Sequence, residues 1–316
     1  MRQVWKKLRY RLEYIGLLMA AKLVPLFPRS AIAALAKICG AVASLVDGRG
    51  RRVALDNLDC AFPGKYSAAE KRRIVRESYQ HFAQTMLDLM WSPRLTPENF
   101  ARYIEFEGFS DAWREQSVIV VCFHYSNFEW LSLSCGFIGW VATIVAQEFR
   151  NPLLDPIFRK WREQSGHSFT ARTGGILRLF KTLRRGGNIA MLVDLTVFPG
   201  PAAVAIRCFG LHASVTSAHS WLQQRSGALL IPCHCEPLRR GRYRMVFHPP
   251  IDLGPDANPG DVAQACWDSF EPVVRARPGP WIWMYKQWRY RAKNPDRRYP
   301  FYSWHNVKFE RLIARK

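Results

Sequence analysis

The sequence predicts an α/β protein, a mostly parallel sheet flanked by helices, with membrane-associated helices ahead of it. Three observations predict it. Short apolar, β-branched runs recur after about residue 103 and alternate with helical stretches, the pattern of a sheet covered on both faces. Before residue 50 the chain is apolar but interrupted by lysines. The 316 residues carry 46 Lys/Arg against 25 Asp/Glu, a net charge of +21, together with 12 Trp and 19 Phe. A basic, Trp-rich chain suits a membrane interface, where the indole sits half in apolar surroundings. The other reading of the same numbers is an aromatic core under a solvated charged surface. With 48% hydrophobic residues the chain has the material for a sizeable core and is not of the disordered class.

The N-terminus opens on Arg2, Lys6, Lys7, Arg9 and Arg11, with no acid before Glu13. Two apolar stretches follow, 14–27 and 31–46, broken by Lys22, Pro25 and Lys37. Neither reaches the ~20 apolar residues of a spanning helix. They predict one or two interfacial helices with snorkelling lysines; core helices and a tilted anchor are the alternatives. The division expected is an N-terminal membrane-associated region, 1–50, and a catalytic domain, 51–316. Residues 49–52 are expected as a basic turn. A helix is expected over 67–91, opened by a Ser67/Glu70 capping box and carrying Ile74, Phe82, Met86 and Leu89 at helical spacing.

Buried strands are expected at 118–123, 189–193, 228–233 and 243–247, with helices at about 153–165, 175–186 and 213–226. Cys233-His234-Cys235, which begins at the end of the third of these runs, is also expected to be strand. Alternation puts the two thiols on one side and His234 on the other, and no CxxC completes a zinc site. The eight cysteines show no disulfide-framework spacing and suit a reducing compartment. The segment from Trp281 is dense in Trp, Tyr and Arg. From 285 to 316 it carries ten Lys/Arg against two Asp/Glu, which adds to the expectation of a membrane surface.

His124 directly follows the 118–123 strand, and in open α/β sheets ligands bind beyond the carboxyl ends of strands. Ser126 and Glu129 have capping-box spacing, so a helix is expected to start at Ser126 or Asn127. The turn would let the Glu129 carboxylate meet the imidazole. A carboxylate on one ring nitrogen stabilises the imidazolium and leaves the other nitrogen to take a proton from a hydroxyl. Glu129 has a second reading as a cap alone.

His-Tyr-Ser-Asn-Phe-Glu after an apolar strand resembles the His-x4-Asp/Glu motif of the lysophospholipid acyltransferase superfamily. It is closest to the lipid A (late, secondary) acyltransferase branch, whose motif commonly reads His-Phe-Gly-Asn-Trp-Glu. Further segments are similar in the same order: Asn57-Leu58 with Ala61-Phe62-Pro63, then Asn151-Pro152-Leu153, Phe209-Gly210 with Ala213 and Thr216, and Trp281 to Arg289. The resemblance implies a glycerolipid acyltransferase-like fold. It implies an acyl thioester donor, acyl carrier protein or acyl-CoA, and a hydroxyl on a glycolipid or lysolipid acceptor. No metal or other cofactor is implied. It casts His124 as base and Glu129 as its carboxylate. Arg172 and Asp194 would serve substrate binding or the oxyanion, Arg172 having a second reading as a surface arginine. Leu195 follows Asp194 where the branch usually has Gln, and Ser126 and Phe128 replace its Gly and Trp.

Phosphatidylinositol mannoside and lysophospholipid acyltransferases share the motif and remain alternatives. A non-catalytic membrane-surface protein is disfavoured by the retention of His124 and Glu129. A nucleic-acid partner is not expected, for the chain lacks zinc-finger spacing and RNP-like aromatic strands.

Overall fold

In the computed structural model, which describes residues 2–146, 149–171, 174–254 and 256–314, four helices precede the first strand. They are α1 (Arg2–Leu23), α2 (Arg29–Val46), α3 (Gly48–Ala61) and α4 (Ala68–Trp91). The α4 capping box forms as expected, Ser67 Oγ accepting from the Glu70 N–H while the Glu70 carboxylate accepts from the Ser67 N–H at 2.8 Å. Ile74 and Leu89 are buried, but Phe82 is exposed. The expected turn at 49–52 is instead the first turn of α3, capped by Asp47. Aspartate there satisfies the orphan N–H of Gly50 and lets the helix start early. One helix thus runs across residue 50.

Of the described helices, only α2 is long and apolar enough to cross a membrane. It nonetheless packs one face on α4 along its whole length. Ile32, Ala36, Gly40 and Ser44, four residues apart, form the buried stripe. Gly40 is required by close approach, because a Cβ there would overlap the Gln80 backbone. The opposite face exposes Leu35, Ile38, Val42 and Leu45, and α1 exposes Val4, Leu8, Leu12, Ile15 and Met19 at helical spacing.

Beyond α4 the chain builds β1 (Ile104–Glu107), β2 (Val118–Cys122), α5 (Phe128–Phe137), β3 (Ala142–Ala146), α6 (Asp155–Glu163), β4 (Ser168–Ala171), α7 (Gly175–Arg184) and β5 (Asn188–Leu192). A hairpin, β6 (Ala203–Cys208) and β7 (Leu211–Thr216), leads to α8 (Ala218–Ser226), β8 (Leu229–Pro237), β9 (Tyr243–Phe247) and α9 (Pro259–Ala276). Seven strands form the main sheet in the order β1-β9-β8-β2-β5-β3-β4, parallel except for the β8/β9 pair. The α/β expectation is met. One detail differs: the helix expected from 213 begins only at Ala218, because 211–216 pairs with 203–208.

Strand β2 lies at the centre and is buried on both sides. Ile119, Val121 and Phe123 enter a first apolar layer with Leu179, Leu183, Leu222, Phe270 and the tryptophans of 281–288. Val118, Val120 and Cys122 enter a second with Trp130, Phe158, Trp161, Val24 and Ile32. So α7, α8 and α9 cover one face, while α5 and α6, with Leu17 of α1, cover the other. Cys233 and Cys235 point into the second layer, and His234 pairs with His248 at 3.0 Å, the alternation expected of that strand.

The tryptophans of the C-terminal segment are a correction. Trp281, Trp283 and Trp288 are buried and packed around Phe209, not presented to a membrane. Their apolar area is worth more inside this layer than at an interface.

Candidate active site

The site is assembled at the carboxyl ends of two neighbouring parallel strands. β2 and β5 pair with Cys122 opposite Leu192, so the residues two places on, His124 and Asp194, leave the sheet side by side. Asp194 Oδ1 lies 2.7 Å from His124 Nδ1, and Oδ2 accepts the His124 main-chain N–H at 3.0 Å. A carboxylate can only accept, so Nδ1 carries the proton and Nε2 keeps its lone pair. The imidazole is fixed from the side by Phe128, edge to face at 4.9 Å.

Asp194 is fully buried as a side chain, and a buried charge needs hydrogen-bond donors. Trp281 Nε1 supplies a third, to Oδ2 at 3.0 Å, and Gln287 donates to the Asp194 carbonyl. Asn57 donates to the carbonyls of Trp283 and Tyr285, both at 2.8 Å, which holds this returning segment in place. Phe62 and Phe209 pack on the same segment, so stretches far apart in sequence, at 57–63 and 209–210, meet on the 281–288 segment that holds the carboxylate.

The turn after His124 runs through Ser126, whose φ of +51° lies in the left-handed region. Its carbonyl accepts from Thr85 and its N–H donates to Pro280 O, so both neighbouring segments hold the strained residue. Asn127, not Ser126, is the helix cap: its Oδ1 accepts from the Trp130 N–H at 3.0 Å. Its amide donates to Asp88, a fully buried carboxylate that also receives Tyr243 and Arg29.

Because Asn127 caps, the expected Ser126/Glu129 capping box does not form, and Glu129 is carried onto the side of α5 that faces α6. There Arg162 grips it in two-pronged fashion, Nε to Oε2 at 2.9 Å and Nη2 to Oε1 at 2.5 Å. Burial is the largest single influence and would lower the Arg162 guanidinium pKa, but the Glu129 charge, the hydrogen bond to it and the Asp155 charge together outweigh it, and the net direction is up. The carboxylate bonded to the imidazole is therefore Asp194, and the expected His124–Glu129 contact is replaced by the Glu129–Arg162 pair. Arg172 lies outside the described residues.

Sequence reasoning missed Arg162, Asp88, Trp281 and Gln287 as supports of the site. A buried polar Gln within a Trp-rich run was the available signal for Gln287. Nothing in the sequence pointed to Arg162.

The profile of the bacterial lipid A biosynthesis acyltransferases matches residues 2–290. The chain belongs to that family. It is also 23% identical over 254 residues to the lipid A biosynthesis acyltransferase of Haemophilus influenzae, an alignment covering 78% of each chain. The protein is accordingly an enzyme that transfers acyl groups. The matched region of the acyltransferase takes in both halves of the His124–Asp194 pair.

Proposed function

We propose that the acyltransferase moves a fatty acyl group from a carrier-borne thioester, acyl carrier protein, to a hydroxyl of a lipid A-type glycolipid precursor at the cytoplasmic face of the bacterial inner membrane. The observation that carries the reading is the 2.7 Å His124–Asp194 contact, with Nε2 left as acceptor. His124 Nε2 takes the proton of the acceptor hydroxyl, and the oxygen attacks the thioester carbonyl. The C–S bond of the tetrahedral intermediate breaks, and the imidazolium returns its proton to the departing thiolate. Asp194 acts through His124, holding the tautomer and balancing the transient positive charge. Glu129 acts through Arg162, fixing the first turn of α5 against α6. Arg172 is assigned the oxyanion or a substrate phosphate on the strength of the resemblance.

The apolar rows of α1 and α2, with the cations around them, support a location in the membrane surface. Full-length protein that fails to sediment with anionic vesicles at physiological salt would refute that location. The chemical assignment is tested by His124→Ala. Acyl transfer to the lipid acceptor, followed by mass spectrometry, should fall by about two to four orders of magnitude, the usual loss for a general base. Circular dichroism should not change. Near-normal turnover of the purified variant would remove His124 from the mechanism.

A further inference from the structure

The inference concerns α7 and rests on the reading of the donor as a carrier-borne thioester. From residue 164 to 193 the sequence contains no Asp or Glu and five Lys/Arg. The helix built in that stretch turns Leu179 and Leu183 into the first apolar layer. Its outer face then exposes Arg178, Lys181, Arg184 and Arg185. None of the four has an ion-pair partner among the described residues, whereas Arg159, Arg244, Arg275 and Arg298 each hold a carboxylate. Arg178, Lys181 and Arg185 also line an open recess of about 360 Å³, together with Thr143 and Thr182.

An unpaired cationic face invites an anionic partner, either an acidic protein or an anionic bilayer. The fold favours the protein. The exposed apolar rows of α1 belong to a helix packed on the second layer, and α7 covers the opposite face of the sheet. A bilayer that engages α1 does not also meet α7. The beginning of α7 carries exposed Leu177 and half-exposed Ile176 beside the cations, and interfaces commonly combine such apolar anchors with a charged rim.

The position also fits delivery to the site. α7 starts just after β4, at the carboxyl end of the sheet where His124 lies, and runs back along it, so that Ile176, Leu177 and Arg178 are nearest that end while Lys181, Arg184 and Arg185 lie toward the amino ends of the strands. β4 is three strand positions from β2, about 14 Å at the usual strand spacing. A flexible pantetheine thioester arm that leaves the carrier at the Ile176–Arg178 end of the face covers that lateral distance, with the carrier's body lying along the cations behind it. We infer that the cationic face of α7 is the docking surface for the acidic acyl carrier protein.

The test compares two donors in the full-length enzyme: acyl carrier protein bearing the acyl group, and the same acyl group on free pantetheine. Arg178→Glu, Lys181→Glu and Arg185→Glu are combined. The KM for the carrier-borne donor should rise on the order of tenfold or more, and its dependence on salt should weaken. Turnover of acyl-pantetheine and co-sedimentation with anionic vesicles should stay at wild-type levels. An unchanged KM for the carrier-borne donor would overturn the inference. So would lost vesicle binding with carrier use intact, which would assign the face to the bilayer. If charge reversal unfolds the protein, acyl-pantetheine turnover falls as well. The triple Gln variant then supplies the reading, with a smaller rise in the same KM expected and an unchanged KM overturning the inference. Wild-type enzyme that transfers from neither donor would refute the underlying function. Wild-type enzyme with the same KM for acyl-pantetheine as for the carrier-borne donor would refute only the docking surface.

Discussion

Two carboxylates flank the strand-to-helix turn that begins at His124, and the structure treats them differently. Asp194, on the β5 side, is held by an imidazole, a main-chain amide and an indole, none of them permanently charged. Glu129, on the α6 side, is already matched by a full guanidinium charge. The difference teaches where charge is free to develop. A carboxylate surrounded by donors without permanent charge has its electrostatic attraction available for an imidazolium that forms and disappears. One locked to arginine contributes mainly to shape, since its charge is neutralised at all times.

That contrast can be broken first at Asp194. Asp194→Asn keeps the size of the group but can present its amide to His124 and favour the wrong tautomer. Acyl transfer should fall by roughly two to four orders of magnitude, the scale seen when a histidine base loses its orienting carboxylate. The melting temperature should move far less than the rate. A variant that retains most of its turnover would show that His124 does not depend on this pair.

The next effect is expected at Glu129, and it should be one of stability. Glu129→Gln leaves the Arg162 charge part-buried without its partner, which should cost about 2–4 kcal/mol in denaturant unfolding. Replacing both, Glu129→Gln with Arg162→Met, should recover much of that loss, because the remaining groups are no longer charged. If the single variant is as stable as wild type yet inactive, Glu129 takes part directly in the chemistry and the contrast drawn here fails.

The smallest effect is expected at the turn between the two carboxylates. Ser126 pays a left-handed penalty of about 1 kcal/mol that glycine avoids, while glycine frees the unfolded chain by a similar amount. Ser126→Gly should therefore shift unfolding by less than about 1 kcal/mol and leave the rate within a few-fold. A large loss of activity would mean that the hydroxyl, not the backbone, matters at this position.

How much of this was legible follows from what each element buries. β2, β5, β8 and β9 were readable because each carries a run of apolar residues in the sheet. β1, β3 and β4 were not: β1 and β4 are four-residue edge strands, and the five residues of β3 are only partly buried. His124 and Asp194 could both be picked out at strand ends, but their contact depends on the parallel register of β2 with β5, and register leaves no local trace in sequence. A capping box at Ser126 was expected where Asn127 caps alone, because Ser126 and Asn127 are both good caps. Asp88 decided between them by binding the Asn127 amide, a contact 39 residues away.

The returning segment that brackets Asp194 has a consequence for how the enzyme is made. Trp281 and Gln287 lie 87 and 93 residues beyond that carboxylate, and the Asn57 anchor of the same segment lies 226 residues before Trp283. During synthesis the N-terminal helices emerge and can reach a bilayer long before residues 281–288 exist. The buried carboxylate gains its indole and amide partners only when residues 281–288 have left the ribosome. The site is thus among the last parts of the fold to be completed, and a chain terminated before residue 281 lacks the partners of its buried carboxylate.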